Sequence, residues 1–478
     1  MPGRRSAVVA VLVASAIPAT ANAAYSPVRV RAPHALPGGV HAARTATWIV
    51  GARPSVASER VARRFAARRV TPRGIYVLSS TRARAFARAL RREGLYRFSE
   101  PDRRLAPLQA PAAGDDFAAT DWRQFLVGST PAPDPAGAPL TAVIDSAVDT
   151  THPDLAGIEV TGDPAISDLH GTAVASVVGG RANSFGMVGI FPGAPILSVG
   201  SGLLLSDITR AIAASVKAGA KQINMSLGGP QPEFAMFVEI AYAVSQDVAV
   251  VASAGNDFDT VLPDGTQNPV MFPAAFPHVV SVASMGPSGA SSSFSTANGA
   301  VDLTAPGESV LTAVPPALDD DGTPDGFERL DGTSFAAPIV TGELAWLRTA
   351  RRDLSAAQAS DLLRITAKDL GPAGFDNDSG YGQVDILGAL AGAKPPEDTL
   401  EVNDDMEWVD GRRFSRPDPF FYRGGAGRRG LTAVVDYWKD PADVYRFKIG
   451  CVSGRSIAPG TIAANANRPA ARHESAAT

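Results

Sequence analysis

The sequence predicts an α/β protein built on a mainly parallel β-sheet with helices on both faces, a three-layer α/β/α arrangement. The first observation is a set of short β-branched runs through the middle of the chain, at residues 140–144, 195–199, 221–225, 248–252 and 279–283. The second is that segments with helical periodicity lie between or after these runs, at residues 205–218, 234–246, 334–350 and 355–367. Strands that alternate with helices in this way are typical of parallel pairing.

Residues 1–23 have the features of a secretory signal peptide. Arg4 and Arg5 form a positive end, residues 7–17 form a short apolar run, and residues 21–23 have the small-x-small pattern of a cleavage site. The alternatives are a membrane anchor or a buried N-terminal helix, but the apolar run is too short to span a bilayer comfortably. We therefore expect a secreted or periplasmic protein with no membrane association after signal removal.

A second unit is predicted at residues 46–105, between linkers rich in Ala, Pro and Gly at residues 24–45 and 106–120. Strand-like and helical segments alternate within it, which predicts a small α+β unit of the ferredoxin-like, split βαβ type. The predicted strands lie at residues 46–50, 74–78 and 95–98, and the helices, the first capped by Ser55 or Ser58, at residues 58–69 and 81–92.

The main body is predicted to extend over residues 121–394, and the composition changes after Pro395-Pro396. Residues 401–449 contain short β-like runs and predict a small β-rich C-terminal module. Residues 450–478 are dominated by Ala, Asn, Arg and Pro, which predicts a disordered tail. The single cysteine, Cys451, excludes an intramolecular disulfide.

Charge is distributed unevenly along the chain. Residues 25–110 contain 18 Arg, no Lys and four acidic residues, a local balance of +14. Because the whole chain carries −4 and Arg4 and Arg5 precede this segment, the chain from Pro111 onward carries −20. A basic arm for nucleic acid is one interpretation. Aromatic residues are not interleaved with the arginines in any nucleic-acid-binding motif, so we favour mutual binding of the two parts and expect no nucleic-acid partner.

Four residues stand where chemistry is expected, although each also has an ordinary structural explanation. Asp145 follows a predicted strand, where α/β sheets place their ligand sites, but it is also a common turn residue. His170 opens a small-residue helix and is equally typical of a capping or structural role. Ser334 precedes another helix, where it is a favoured N-cap but where an oxyanion would also be stabilised. Asn256 ends a strand and offers an amide to developing negative charge or to a turn.

Taken together, this ordered set resembles the subtilisin family of serine proteases over roughly residues 121–392. The resemblance is carried by Asp145-Ser146, His152-Pro153-Asp154-Leu155, His170-Gly171-Thr172, Ser226-Leu227-Gly228-Gly229, Ala254-Gly255-Asn256, Phe272-Pro273-Ala274, Leu303-Thr304-Ala305-Pro306-Gly307 and Gly332-Thr333-Ser334-Phe335-Ala336-Ala337-Pro338.

The resemblance implies a secreted serine endopeptidase that acts on proteins or peptides. Ser334 would be the nucleophile, His170 the general base and Asp145 the residue that orients His170. Asn256 would form the oxyanion hole with the backbone N–H of Ser334.

The resemblance also implies how substrate is held. The strand at Ser226, Leu227, Gly228 and Gly229 would pair with the substrate backbone. Ala252, Ala254 and Met271 would line the primary specificity pocket. Met271 stands where many relatives have a small residue, so we hypothesise a shallow pocket for small or medium side chains.

No cofactor is implied for the chemistry, but Ca²⁺ for stability is. Asp154 matches a calcium ligand of the family, and Asn183 lies in a loop of the kind that offers oxygen ligands. A solvated Asp and a polar turn explain the same residues equally well.

In pattern and position, residues 46–105 resemble the inhibitory propeptide of the family, and their charge would complement the acidic body. Residues 401–449 resemble the start of a bacterial pre-peptidase C-terminal domain that is incomplete. The main rival function is a protein of this fold that binds peptides without cutting them. An α/β-hydrolase esterase fits poorly, because Gly332-Thr333-Ser334-Phe335-Ala336 is not Gly-x-Ser-x-Gly.

Overall fold

The computed structural model describes residues 46–103, 106–107, 122–127, 130–183, 185–262, 265–323, 325–397, 420–423 and 446–448. The predicted signal peptide, the first linker, the disordered tail, most of the second linker and most of the C-terminal module lie outside the described residues. In the part of the chain that is described, no helix has both the length and the apolar character needed to cross a membrane.

Residues 46–103, which we call the N-terminal module, have a βαββαβ topology. The four strands form a sheet in the order β2-β3-β1-β4, and neighbouring strands are antiparallel. The elements are β1 Thr47–Ala52, α1 Val56–Arg64, β2 Arg68–Thr71, β3 Ile75–Ser79, α2 Ser80–Arg92 and β4 Tyr96–Pro101.

The first helix of the module is shorter than predicted, and that prediction was wrong at its C-terminal end. Ser55 caps α1 through a capping box with Ser58. The helix ends at Arg64 because Ala66 has a φ of 51°, a left-handed conformation that reverses the chain. Arg68 and Arg69, predicted as the end of this helix, therefore lie in β2, which pairs with β3.

The two faces of the module's sheet serve different purposes, because side chains alternate along each strand. Val50 and Tyr76 point to one face, where they form a small core with Phe86 and Leu90 of α2. Ile49, Ile75 and Phe98 point to the other face and join a core of the main body. The sheet of the module therefore lies between the module's own helices and the body.

This geometry corrects the charge interpretation. Only Arg73, Arg97 and Arg103 of the module's 14 described arginines are half-buried, and Arg73 and Arg103 form ion pairs with the body. The other eleven are exposed. The basic charge of the module therefore faces mostly away from the acidic body rather than into it.

The main body contains the predicted α/β architecture. Its helices are α3 Trp122–Val127, α4 His170–Gly179, α5 Leu205–Ala218, α6 Phe234–Val244, α7 Thr333–Ala350, α8 Ala356–Thr366 and α9 Ile386–Ala391, with a short 3₁₀ turn at Pro153–Leu155. After the two-residue strand β5 Ala106–Pro107, its strands are β6 Thr141–Asp145, β7 Glu159–Gly162, β8 Ile196–Gly200, β9 Gln222–Met225, β10 Leu227–Gly228, β11 Ala249–Ser253, β12 Val279–Met285, β13 Leu303–Pro306, β14 Val310–Ala313 and β15 Phe327–Leu330.

Seven of these strands form one parallel sheet in the order β13-β12-β11-β9-β6-β8-β7. Helices α4 and α7 pack on one face with α8 and α9, and α5 and α6 pack on the other. The three-layer, mainly parallel prediction is confirmed. The central strands β6, β9 and β11 are buried along their whole length, because helices cover both faces of the sheet.

Two strands of this sheet were not predicted, and both lie at its edges. β7 is exposed at all four residues and β13 ends at Pro306, so neither has the β-branched, apolar sequence of the central strands. β14 and β15 form a separate antiparallel hairpin. In the C-terminal region, the described strands β16 Phe420–Arg423 and β17 Arg446–Lys448 pair in parallel.

Candidate active site

Asp145 is the last residue of β6, in the middle of the parallel sheet. The carboxyl ends of parallel strands meet at one edge, which is where α/β proteins place their sites. The side chain is buried, and its Oδ1 accepts hydrogen bonds from the backbone N–H of Ser146 (2.8 Å) and from Nδ1 of His170 (2.8 Å).

His170 is the first residue of α4, a helix that is buried on every side because its residues are small or apolar. The helix starts very close to β6: a Cβ at Gly171 would overlap the carbonyl oxygen of Ser146. Only glycine allows this approach. The approach brings the imidazole within hydrogen-bond distance of Asp145.

Three influences determine the pKa of His170. Burial disfavours the charged imidazolium and acts to lower the pKa, but the charge and hydrogen bond of Asp145 act to raise it, helped by the charge of Asp168. The net result is a pKa above the ordinary value. A more basic imidazole is a better acceptor for a proton from a nucleophile.

Ser334 is the second residue of α7, and Gly332 before it has a φ of 149° that a residue with a side chain rarely adopts. Its Oγ donates to the carbonyl of Ser226 (3.3 Å), and Oγ of Ser226 donates to the carbonyl of Ser334 (2.8 Å). Among the described residues, the buried Nε2 of His170 has no hydrogen-bond partner. Rotation of Oγ away from Ser226 would therefore present the hydroxyl to an unoccupied acceptor.

Asn256 lies after β11, with its side chain half-buried beside the start of α7. Its Oδ1 accepts from both the backbone N–H (3.0 Å) and Oγ1 (2.9 Å) of Thr333. Because the carbonyl end of the amide is held by Thr333, the NH₂ end faces the other way.

The predicted substrate strand pairs with an extended segment of the same chain. β10 lies antiparallel to β5, with Leu227 opposite Pro107 and Gly228 opposite Ala106. Gly229 exchanges two backbone hydrogen bonds with Phe272, at 3.0 and 2.8 Å. The edge of this strand is thus able to hold a peptide backbone.

The predicted pocket residues lie together beyond this strand. Ala252 and Ala254 are buried at the carboxyl end of β11, and Met271 is buried before the cis peptide between Phe272 and Pro273. A Cβ at Gly255 would lie 2.6 Å from Cγ of Met271, so the methionine side chain packs against this turn.

The predicted calcium ligands, Asp154 and Asn183, lie in contact, but an N–H···O hydrogen bond joins them. Nδ2 of Asn183 donates to Oδ1 of Asp154 (2.9 Å), and the backbone N–H of Met187 donates to Oδ2 (3.0 Å). Oδ1 of Asn183 accepts from the backbone N–H of Phe185 (2.9 Å). These oxygens face donors, so the arrangement does not fit a cation between them, and no group of three or more potential ligands occurs in the described ranges.

Sequence reasoning missed three residues that support the site. Thr333 orients Asn256, as described above. Oγ of Ser146 donates to Asp168 (2.5 Å) and accepts from the backbone N–H of Gly171 (2.9 Å), and Asp168 accepts from the backbone N–H of His170 (2.9 Å). The one available signal was a carboxylate two residues before His170.

The N-terminal module contacts the body beside the site, and its acidic residues cap two helices. Glu100 accepts from the backbone N–H groups of Phe234 (2.9 Å) and Ala235 (2.7 Å) at the start of α6. Asp102 accepts from the N–H and Oγ of Ser206 at the start of α5, both at 2.8 Å. Carboxylates at helix N-termini satisfy unpaired N–H groups and the helix dipole.

Within this contact, one buried ion pair joins the two parts. The guanidinium of Arg73 pairs with Glu239, a fully buried residue of α6, and stacks over the ring of Tyr242 at 4.0 Å. Oγ1 of Thr71 donates to the other oxygen of Glu239 at 2.7 Å.

An Asp–His pair, a serine in the first turn of a helix and an oriented amide, in the chain order Asp, His, Ser on a parallel α/β sheet, match the arrangement of a subtilisin-type serine hydrolase site. The comparison with protein families agrees. Residues 138–382, about half of the chain, match the subtilase family, so the chain belongs to that family.

Individual relatives are also similar to this chain. Fervidolysin of Fervidobacterium pennivorans is 32% identical over 303 residues, a match that covers 55% of this chain and 42% of fervidolysin. The major intracellular serine protease of Bacillus subtilis (strain 168) is 34% identical over 227 residues, covering 44% and 67%. The crystal structure of fervidolysin has a TM-score of 0.61 at 25% identity and covers 74% of this chain and 62% of that one. The chain spans about half the length of the first curated relatives it matches.

Proposed function

We propose that this protein is a secreted serine endopeptidase, made as a latent precursor, that hydrolyses peptide bonds through an acyl-enzyme on Ser334. The observation that carries the proposal is the buried Asp145–His170 hydrogen bond of 2.8 Å close to the start of α7, where Ser334 is the second residue and the ring of Phe335 lies 5.7 Å from that of His170. A protein that only binds peptides has no need for a raised imidazole pKa beside a serine.

In the proposed reaction, Oγ of Ser334 attacks the peptide carbonyl carbon while Nε2 of His170 takes its proton. Asp145 stabilises the imidazolium through Nδ1. The carbonyl oxygen becomes an oxyanion that accepts from the NH₂ of Asn256 and the backbone N–H of Ser334. The C–N bond then breaks, and His170 returns the proton to the leaving amine.

Water completes the cycle in the second half. His170 takes a proton from water, the hydroxyl attacks the acyl carbon, and the ester bond to Ser334 breaks as Oγ regains a proton. No step requires a metal or an organic cofactor. Substrate would be an extended polypeptide added as a strand to β10.

Labelling with a fluorophosphonate probe tests this function. We expect Ser334 to be modified in the wild-type protein, with no labelling of Ser334→Ala and strongly reduced labelling of His170→Ala. Peptide binding without any labelling or cleavage would favour the rival, non-catalytic function.

We further propose that residues 46–105 act as an intramolecular inhibitor of the peptidase. Two contacts support this: the segment after the module pairs with the substrate strand through β5, and the backbone carbonyl of Arg103 accepts from the N–H of Leu205 (2.5 Å). Substrate cannot pair with β10 while β5 does. N-terminal sequencing of secreted wild type beside Ser334→Ala tests self-processing, because identical N-termini would exclude it.

Residues 1–23 would direct export and be removed at Ala23, which the same sequencing would detect. We also propose a shallow primary pocket with Met271 at its base. Profiling with a peptide library should show small or medium side chains at the cleaved position, and a preference for bulky aromatic residues would contradict this pocket.

A further inference from the structure

The outer surface of the N-terminal module carries a dense positive charge that the proposed peptidase function does not use. We define the outer face as the exposed arginines of the module: Arg53, Arg60, Arg63, Arg64, Arg68, Arg69, Arg82, Arg84, Arg88, Arg91 and Arg92. Ten of the eleven lie on α1, α2 and β2 or on the residues next to them. Because the other side of the module's sheet packs against the body, α1 and α2 form the outermost layer.

The chain offers little to neutralise this face. Of the module's four acidic residues, Glu100 and Asp102 are buried against the body. Among the described residues, one ion pair with a carboxylate is formed by the outer face, between Arg69 and Glu59 at 3.0 Å. The arginines of a surface with this density of positive charge repel one another. The repulsion destabilises the folded protein unless an anionic partner neutralises it.

The body does not neutralise the outer face either. Contacts with the body use Arg73 and Arg103, on the opposite side of the module. Among the described residues, the outer face therefore has few anionic partners and is available to an anionic surface.

We propose that the outer face binds an anionic lipid bilayer and holds the precursor at the membrane surface. Helices that present several cationic side chains on one exposed side gain affinity for anionic lipid with every charge near the surface. Val56 begins α1 on this side and is 77% exposed, which places an apolar side chain among the arginines for shallow insertion.

Lipid fits this face better than nucleic acid does. Single-stranded nucleic acid is held by stacking on exposed aromatic rings. None of the module's aromatic side chains is exposed, since Tyr76, Phe86 and Phe98 are buried and Trp48, Phe65 and Tyr96 are half-buried. The ring of Tyr96 is also covered by the guanidinium of Arg91, 3.8 Å from its centre. The proposal concerns the precursor, and it departs from the expectation that the protein has no membrane partner.

The test uses the full chain carrying Ser334→Ala, so that the module stays attached whether or not the wild type processes itself. Vesicles of phosphatidylglycerol and phosphatidylcholine in equal parts, and of phosphatidylcholine alone, are sedimented with the protein. We expect binding to the anionic vesicles alone, and weaker binding as salt is raised. Equal binding to both vesicles, or none to either, would overturn the proposal.

Two charge-matched triple variants locate the surface. Arg60→Gln/Arg84→Gln/Arg88→Gln removes three charges from the outer face, and about fivefold per arginine predicts a partition coefficient lower by about 100-fold. Lys217→Gln/Arg181→Gln/Arg352→Gln removes three exposed charges from the body and should change binding less than about twofold. Equal losses in the two would show that total charge, and not the outer face, determines binding.

Replacement of Arg60, Arg84 and Arg88 by lysine should preserve binding, because charge and not guanidinium geometry is used. If the triple glutamine variant does not fold, the three single variants provide the same test at about fivefold each. A short DNA duplex tests the other class of polyanion. Binding of the duplex without binding of anionic vesicles would contradict the lipid assignment.

Discussion

Helices α6 and α7 lie on opposite faces of the same sheet, and each contains a fully buried glutamate. Glu239 of α6 is paired with Arg73 and Thr71 from the N-terminal module. Glu343 of α7 has no hydrogen-bond partner for either oxygen among the described residues, and burial raises its pKa well above the ordinary value.

The N-termini of the two helices differ in the same way. The first two N–H groups of α6 donate hydrogen bonds to the carboxylate of Glu100, which belongs to the module. The start of α7 carries Ser334 and faces Asn256 across Thr333. Residues of the module thus satisfy the buried glutamate and the N-terminus of α6. The start of α7, by contrast, contacts residues of the body and contains the candidate site.

The largest effect should come from the start of α7. Ser334→Ala removes the nucleophile and should lower kcat by roughly 10⁶-fold. The midpoint of thermal unfolding should barely change, because the substitution removes a hydroxyl whose hydrogen bond to the carbonyl of Ser226 is long, at 3.3 Å. Ser355, the N-cap of α8, provides the control: Ser355→Ala should cost about 1 kcal/mol of stability and leave kcat unchanged, and a loss of activity there would show that any helix-terminal serine matters.

The second effect concerns the ion pair of α6. Arg73→Ala in the Ser334→Ala precursor leaves the buried charge of Glu239 without its cation, which should cost about 3–5 kcal/mol of unfolding free energy in urea. Glu239→Gln on top of Arg73→Ala should restore part of that loss. Arg53→Ala, an exposed arginine of the same module, should change stability by less than about 0.5 kcal/mol, and an equal effect of both would contradict a specific role for Arg73.

The third effect should have the opposite sign. Glu343→Met removes a buried carboxyl that has no partner, so we expect the unfolding free energy at pH 8 to rise by about 1–3 kcal/mol. The raised pKa means that the folded protein holds a proton that the unfolded chain releases above the ordinary Glu pKa, so stability declines as pH rises from there. Glu343→Met and Glu343→Gln should both flatten this decline, and a steeper profile in either would contradict the assignment.

The smallest effect should be a pH dependence of the contact between module and body. Burial, reinforced by the charge of Glu233, raises the pKa of Glu100 to about 8, and burial raises that of Glu233 to about 7. Because both pKa values are raised in the docked state, the contribution to stability is lost as pH rises through this range. We expect the unfolding free energy of the precursor to fall between pH 6 and 8, and that of Glu100→Gln to fall less. A gain of stability between pH 6 and 8 would contradict the raised pKa values of Glu100 and Glu233.

Much of the body was predictable because its strands follow a simple physical rule. Runs such as residues 248–252 must be apolar throughout since both faces are covered, and the observed β11 differs from that prediction by one residue at each end. The family was predictable for another reason, since its motifs are local in sequence. The edge strand β7 was not predicted because all four of its residues are exposed, which removes the apolar pattern.

The remaining features depend on contacts between distant parts of the chain. Nothing local in the sequence marks Glu239 as paired and Glu343 as unpaired, because the partner of Glu239 lies 166 residues earlier. The positive φ of Ala66 that ends α1 is equally invisible in an Ala-rich helix. The net charges of the two parts predicted that the module and the body attract each other. A net charge does not specify where the charged side chains point, and the folded module turns most of its arginines outward.

Gly171 has a consequence for how the site tolerates sequence change. Strand β6 and helix α4 can lie this close only with glycine at residue 171, because a Cβ there would overlap the carbonyl oxygen of Ser146. A saturation library at this position should therefore return glycine alone among active clones, even though residue 171 never touches a reacting atom. The separation of Asp145 from His170 is thus encoded by the absence of a side chain.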